Sequence, residues 1–269
     1  MKRRHSRTAF LETLEQRIVF DGTLSAIVVD GTLVVSGDAA DNGFEIRQVI
    51  SPGGRATLQS SFVIAPDSTT SVNGLRPGQS YRVNGVDAGL VIDAGAGDDE
   101  ILVRGIKGKP IAQLSIETGA GDDQVAVGAL RVSGAIRLSN EDGVDRRRMS
   151  DVDADGALSI SGGGAVQLSR VAADSAEIQL EARGGNARSS VRMSDMDLDG
   201  RLDVVLVGAS MSASRLTAGE ATVQLLADKS GIGEGSSLDM SDADLGGDLC
   251  IVGGDAGAVH RSRIADQTV

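Results

Sequence analysis

The sequence predicts an all-β fold, a parallel β-solenoid built as a three-strand β-helix of about eight coils of about 22 residues, preceded by an irregular β segment. Three observations predict it. Pairs of apolar residues separated by one residue recur every 20 to 26 residues between Leu90 and Ile251. Glycine, which suits tight corners, supplies 36 of the 269 residues, whereas proline occurs four times. Each recurring unit is too short to bury an apolar face alone, so the units must stack on one another.

The recurring pairs define the first strand of each coil. The residue inside a pair is mostly polar, so it should face solvent while the pair faces the core. A second set of alternating residues, such as Val191/Met193, and a third, such as Met196/Leu198, complete the coil. The first-strand pairs are Leu90/Ile92, Leu114/Ile116, Ile136/Leu138, Leu158/Ile160, Ile178/Leu180, Leu202/Val204, Val223/Leu225 and Leu249/Ile251.

The chain divides into three sections. Residues 1–22 form an N-terminal motif, read as a short amphipathic helix or a partly disordered tail. Residues 23–89 form an irregular β segment that we interpret as a cap of the solenoid, and residues 90–269 hold the repeat. The array stops at Ile264 and ADQTV without an obvious polar cap, so we expect an open sheet edge there that self-associates with another chain. The abrupt end also fits a truncated reading frame.

Two arginines conflict with the inward pattern. By alignment with Val191/Met193, Arg147 falls at an inward position, and Arg261 does so in the last coil. An unpaired charge is costly in an apolar core, so we expect the strand to bulge at both residues.

Charge and composition exclude several classes of protein. The formal net charge is −12, and residues 1–22 contribute five basic and three acidic residues, or +2, which leaves −14 for the remainder. Such acidity argues against a nucleic-acid partner, which requires a basic patch. The single cysteine, Cys250, excludes an internal disulfide. No run reaches the ~18 apolar residues of a transmembrane segment, and polar residues in Thr8–Phe20 argue against a conventional signal peptide.

The strongest chemical candidate is a repeated acidic corner. AGAGDDEIL (94–102) and TGAGDDQVA (118–126) place Asp98, Asp99, Asp122 and Asp123 on adjacent coils. Both strings resemble the calcium-binding nonapeptide of RTX proteins, although here they lie 24 residues apart instead of in tandem. Carboxylate oxygens suit Ca²⁺, so one interpretation is a Ca²⁺ site formed by these four aspartates. The other is a structural corner in which the aspartate side chains accept hydrogen bonds from free turn amides.

A second acidic motif, DMDLDG (195–200), has a relative in DVDADG (151–156). Both match the start of an EF-hand loop, but the bidentate Glu expected at its twelfth position is Leu206 or Gly162. Met196 and Leu198 belong to the inward set of the third strand, so we expect the intervening aspartates to face outward.

The N-terminal string LETLEQRIVFDG (11–22) resembles the LEPR-type motif of large bacterial surface and secreted proteins, with Gln16 where proline is usual. The matching residues are Leu14, Glu15, Arg17, Ile18, Phe20, Asp21 and Gly22. This resemblance implies export to the bacterial envelope or beyond it, and a structural or adhesive role with surface proteins or polysaccharide as partners.

Three functions follow as hypotheses. The first is a non-enzymatic, secreted or cell-surface β-solenoid that acts as a scaffold, spacer or adhesin. The second is an RTX-like module stabilised by Ca²⁺ at the aspartate corners. The third is a polysaccharide-processing β-helix enzyme, which the sequence disfavours because the only histidines are His5 and His260 and no aromatic platform for sugar rings lies in the array. We therefore expect no enzymatic activity.

Overall fold

The computed structural model describes residues 22–49, 60–106, 109–182, 189–226 and 236–253. All regular structure in this part of the chain is β-strand, which confirms the predicted fold class. The first eleven strands are β1 (Gly22–Val29), β2 (Thr32–Ser36), β3 (Gly43–Val49), β4 (Ser60–Pro66), β5 (Thr70–Val72), β6 (Tyr81–Val86), β7 (Gly89–Asp93), β8 (Glu100–Arg104), β9 (Leu114–Glu117), β10 (Gln124–Gly128) and β11 (Arg131–Val132). The others are β12 (Ile136–Ser139), β13 (Arg146–Ala154), β14 (Leu158–Gly162), β15 (Ala165–Ala173), β16 (Ala176–Glu181), β17 (Ser190–Leu198), β18 (Arg201–Val207), β19 (Ser210–Ala218), β20 (Glu220–Leu226), β21 (Ser237–Leu245) and β22 (Leu249–Gly253).

The strands form two long sheets. Sheet one follows the order β22-β20-β18-β16-β14-β12-β9-β7-β2-β1-β5. Sheet two follows β21-β19-β17-β15-β13-β10-β8-β3-β4-β6, with β11 beside β13. From β2 and β3 onward, and apart from β4, β5 and β6, the strands pair in parallel with their equivalents in the next coil, which is the pairing that a solenoid requires.

The first-strand pairs lie in sheet one and stack as predicted over the early coils. Leu90 pairs with Leu114, Leu114 with Ile136, and Ile136 with Leu158. In two later coils the register differs from the prediction by two residues. Leu158 pairs with Ala176 and not with Ile178. In β20 the same shift places Ala221 beside Leu202. The shift moves by two residues, so it keeps the inward face inward.

The predicted second and third strands are continuous in most coils. β13, β15, β17, β19 and β21 each run for nine residues and bend at the sixth, where one non-glycine residue has a positive φ. Inward residues on either side of the bend are buried, as Met193 and Met196 illustrate. Each strand therefore supplies two of the three sides of the coil.

The solenoid register begins one coil before Leu90. Leu33 pairs with Leu90 in sheet one, and Phe44 pairs with Ile101 in sheet two. The strings that carry these strands, LVVSGDAADNGFEI and LVIDAGAGDDEILV, lie 57 residues apart. β4, β5 and β6 lie within that interval, which is why the spacing of the other coils does not reveal the first one.

Antiparallel strands cover the N-terminal end of the solenoid. β1 pairs antiparallel with β2, and β4 pairs antiparallel with both β3 and β6. Phe62 and Ile64 of β4 are fully buried and belong to the same core as the coils. The segment that we interpreted as a cap thus contributes both the first coil and the strands laid over it.

Candidate functional site: a buried aspartate ladder

The repeated acidic corner lies between the two sheets, where the chain leaves sheet one and enters sheet two. Ala96, Ala120 and Asp142 form isolated parallel bridges across successive corners. The backbone is tight here: a Cβ added to Gly121, whose φ is 142°, would lie 2.0 Å from the carbonyl oxygen of Gly97. Only glycine fits that approach, which accounts for the GAG element before each aspartate pair.

The first aspartate of each pair bonds the coil that follows. The backbone N–H of Asp122 donates to Oδ1 of Asp98 at 2.9 Å, and the N–H of Val144 donates to Oδ1 of Asp122 at 2.8 Å. Asp41 accepts from the N–H of Asp98 in the same way, at 2.8 Å. These side chains lie on the outside of the corner, where Asp98 and Asp122 are exposed.

The second aspartate of each pair bonds the coil that precedes. The N–H of Asn42 donates to Oδ1 of Asp99 at 2.8 Å, and the N–H of Asp99 donates to Oδ1 of Asp123 at 2.8 Å. Asp145 continues the column, because its Oδ1 accepts from the N–H of Asp123 at 3.2 Å. These inner side chains satisfy amides that the sheet ladder does not reach at a corner.

The inner column is almost inaccessible to solvent. Asp99 is 1 % exposed, and Asp123 and Asp145 are 0 % exposed. Burial raises the pKa of Asp99 to about 7 and that of Asp145 to about 6, and it also raises the pKa of Asp123. The interior therefore shifts these carboxyl groups toward the neutral form, and the charge of Arg147 opposes that shift at Asp145.

The second carboxylate oxygens, Oδ2, of the inner aspartates differ in their hydrogen bonds. Oδ2 of Asp145 accepts from the hydroxyl of Thr118 at 3.0 Å. Oδ2 of Asp99 and Oδ2 of Asp123 are buried without a hydrogen-bond partner, as is Oδ1 of Asn42 in the neighbouring coil. A buried carboxylate oxygen without a donor is unfavourable, and this disfavours the charged form of Asp99 and Asp123.

Arg147 ends the ladder, and the expected bulge at this residue is wrong. Arg147 stays in register, paired with Val125 on one side and Val166 on the other, and it is 2 % exposed. Its Nη1 donates to the carbonyl oxygen of Ser161 at 2.6 Å, and its Nη2 donates to that of Gly163. Burial lowers the pKa of Arg147, and the negative charge of Asp145 opposes part of this decrease. The strand needs no bulge because the charge has partners in the core.

The four predicted calcium ligands lie on two sides of the corner. Asp98 and Asp122 are outside it, whereas Asp99 and Asp123 are inside it, and one oxygen of each accepts a backbone N–H. In the described part of the chain, no group of three or more His, Cys, Asp or Glu side chains is placed to hold a metal ion. The hydrogen bonds are those of the structural corner, and calcium binding stays a prediction.

The first aspartate of the DMDLDG and DVDADG motifs belongs to a second row of stacked side chains, which lies at the strand bend. The bend residues alternate in charge along the solenoid: Asp151, Arg170, Asp195, Arg215 and Asp242, with φ between 51° and 56°. Arg170 binds Asp151 through two hydrogen bonds, of 2.7 and 2.9 Å, and Arg215 binds Asp195 in the same bidentate manner. The later aspartates, such as Asp197, face outward as predicted.

Sequence reasoning missed both the direction of the aspartate bonds and the charge alternation at the bend. A signal for the second was present: each bend residue follows a serine, in the strings MSD, LSR, MSD, ASR and MSD. Several predictions lie outside the described residues, namely the LEPR-like motif up to Asp21, the inward position of Arg261 and the open edge near Ile264. Cys250 is exposed and free.

Comparisons with protein-family models, curated proteins and solved structures gave no match. Among the described residues, none forms a helix long and apolar enough to span a bilayer. The class that the fold defines is a parallel β-solenoid with antiparallel strands over its N-terminal end.

Proposed function

We propose that this chain is a non-enzymatic structural and adhesive β-solenoid, exported to the bacterial cell surface or secreted. One observation carries the proposal: parallel coils stack in register from β2 to β22, over a core made of aliphatic ladders. Nine strands of sheet one repeat at a spacing of about 4.8 Å, which corresponds to a rod about 38 Å long. A rod of this kind holds its outer faces at fixed spacing, which is what a scaffold or adhesin requires.

The contacts that hold the rod are suited to this role. Each coil contacts mainly its neighbours, and the described first coil is covered by β1 and β4. Stability then comes from many equivalent interfaces and not from one central core. The outer surface of such a chain can vary in sequence without loss of the fold, because surface substitutions away from the ladders change stability little.

The location and the adhesive role can be tested in the producing bacterium. An antibody against the chain should detect it in the envelope or culture-medium fraction, and protease added to intact cells should remove the envelope pool. Cells without the gene should adhere less to surfaces, and the intact gene should restore adhesion. A variant with Leu138→Asp in the buried ladder is the matched control and should not restore it. Recovery of the chain in the cytoplasm alone contradicts the proposal.

The enzymatic alternative has its own test. The purified chain is incubated with a panel of neutral and acidic polysaccharides, and new reducing ends or unsaturated products are measured over time. We expect none. Cleavage that persists in the wild-type chain and disappears when outward carboxylates such as Asp153 and Asp197 are changed to Asn would replace the scaffold proposal with a catalytic one.

A further inference from the structure

The outer face of sheet two carries a basic cluster in an acidic protein. Arg146 and Arg148 project outward from β13, and Arg192 projects outward from β17, two coils further on. Gln167 of β15 lies between Arg148 and Arg192 in the pairing register. We call this cluster, formed by Arg146, Arg148, Gln167 and Arg192, the arginine face.

The arginine face holds no acidic side chain. Across β10, β13, β15, β17 and β19, the outward residues before the bend include no Asp or Glu. They are Gln124, Ala126, Gly128, Arg146, Arg148, Ser150, Ala165, Gln167, Ser169, Ser190, Arg192, Ser194, Ser210, Ser212 and Ser214. Glu100 of β8 and Asp239 of β21 bound this region along the rod. The formal net charge of the chain is −12, so this concentration of positive charge is local.

The three guanidinium groups differ from several other arginines of the solenoid. Arg131, Arg170 and Arg215 each form ion pairs with aspartates. Within the residues that the structure describes, no carboxylate lies within 4.0 Å of Arg146, Arg148 or Arg192, and Arg148 instead donates to Oε1 of Gln167. Their charges are thus open to a ligand.

The spacing of these groups suits an extended anionic chain. Two residues along a strand separate Arg146 from Arg148, which is about 6.6 Å, and two coils separate Arg148 from Arg192, which is about 9.6 Å. A guanidinium binds a carboxylate or sulfate through two parallel hydrogen bonds. The hydroxyls of Ser150, Ser169 and Ser194 form a neighbouring row that can bond to the hydroxyls of a sugar.

We propose that the arginine face binds an anionic polysaccharide, with carboxylate or sulfate groups on Arg146, Arg148 and Arg192 and sugar hydroxyls on the adjoining serines and Gln167. A polysaccharide fits better than a duplex nucleic acid, because the acidic remainder of the chain repels a large rigid polyanion beyond the face. No aromatic side chain lies among the outward residues of this face, so attraction comes mainly from charge and falls with salt. This inference rests on the adhesive role proposed above and names its ligand class, whereas the binding test below uses the purified chain and does not require adhesion.

The test measures binding of the full chain to immobilised alginate, dextran sulfate, neutral dextran and duplex DNA, at about 20 mM and about 150 mM NaCl. The triple variant R146Q/R148Q/R192Q is compared with R82Q/R137Q/R201Q, which removes the same charge from exposed arginines elsewhere. We expect wild type to bind alginate or dextran sulfate at low salt and to ignore neutral dextran. The first triple should lose about tenfold in affinity, and the control should stay within about twofold.

Thermal melting of both triple variants verifies that they are folded, and we expect midpoints close to wild type because all six residues are exposed. Three results would overturn the proposal. One is the absence of wild-type binding to both anionic polysaccharides at low salt. Another is an equal loss in the two triple variants, and the last is tighter binding to DNA than to either polysaccharide.

Discussion

Asp98 and Asp99 are adjacent in sequence, but their side chains hydrogen-bond to coils on opposite sides of their own coil. Asp98 accepts the N–H of Asp122 in the coil that follows, and Asp99 accepts the N–H of Asn42 in the coil that precedes. The two side chains therefore connect three successive corners through two hydrogen bonds. The same division of roles holds for Asp122 and Asp123, which accept from Val144 and Asp99.

The inner bond should matter more than the outer one. Asp123→Ala leaves the buried N–H of Asp99 without an acceptor, so we expect it to lower the free energy of unfolding by about 1–3 kcal/mol. Asp122→Ala exposes the N–H of Val144 to water, so its effect should stay below about 1 kcal/mol. Urea denaturation measures both, with Asp123→Asn as the variant that keeps an acceptor oxygen. Equal losses in the two alanine variants would contradict the assignment of inner and outer columns.

Stability should fall as the pH rises from about 4 to about 7. An ordinary aspartate has a pKa near 4, and burial raises the pKa of Asp99 to about 7 and that of Asp145 to about 6. In this window the folded chain holds protons that the unfolded chain has released. The free energy of unfolding then decreases with pH, by up to about 1.4 kcal/mol per pH unit for each such proton.

Asp99→Asn isolates this effect, because Asn keeps an oxygen for the N–H of Asn42 and does not titrate. Melting from pH 4 to pH 8 should show a shallower slope in this variant than in wild type, with the gain largest at pH 8. Asp98→Asn is the control at the exposed position and should retain the wild-type slope. A parallel pair of curves for wild type and Asp99→Asn would refute the prediction.

The buried charges of Arg147 and Asp145 should be coupled, because each shifts the pKa of the other. Arg147→Val matches its register neighbours Val125 and Val166, but it leaves the carboxylate of Asp145 without a cation and two carbonyls without a donor. We expect a loss of about 3–5 kcal/mol. The double variant Asp145→Asn/Arg147→Val should lose less than the sum of the single variants, in a double-mutant cycle by urea denaturation. Additive losses would show that the two groups do not interact.

One coil can be removed if the register is kept. Leu114 pairs with Ile136, so deletion of residues 114–135 places Ile136 against Leu90 and Asp145 against Asp99. We expect cooperative melting and a rod shorter by about 4.8 Å, measured by small-angle scattering. Deletion of residues 116–136 is the matched control, because its junction lies within β9 and places Arg137 at the inward position of Ile116. That control should fail to fold, and equal behaviour of the two deletions would argue against the stacked register.

Calcium should leave the melting temperature unchanged. The Asp98 and Asp99 side chains point to different sides of the corner, and each already accepts a backbone N–H. Melting curves with millimolar CaCl₂ and with EDTA should therefore coincide. A higher midpoint in calcium would indicate a ligand that binds the native state and would favour the RTX-like hypothesis. Loss of that shift in Asp98→Asn or in Asp99→Asn would then locate the ion.

The sequence was sufficient for the class of fold, because alternation with period two and recurrence every 20 to 26 residues are direct consequences of a stacked coil. It was insufficient for the first coil, since β4 to β6 separate Leu33 from its partner Leu90 by 57 residues. The predicted register of β16 was also wrong by two residues, because Ala176 is a weaker apolar signal than Ile178.

The candidate site was predictable in position but not in orientation. Period-two alternation shows that adjacent aspartates face different ways along a strand, but at a corner the facing depends on the φ values of Gly95 and Gly97. Arg147 was misjudged for a related reason. Its hydrogen-bond acceptors, Ser161 and Gly163, belong to the following corner, and no local pattern connects residues that meet only through stacking.

The alternation of Asp and Arg at the strand bend sets a rule for how this array can evolve. Loss of the single coil that carries Arg170 would bring Asp151 beside Asp195, and loss of the one that carries Asp195 would bring Arg170 beside Arg215. Duplication of a single coil would likewise put like charges next to each other. Between β13 and β21 the shortest unit that preserves the charge alternation is therefore two coils, although each coil is a complete repeat of the backbone.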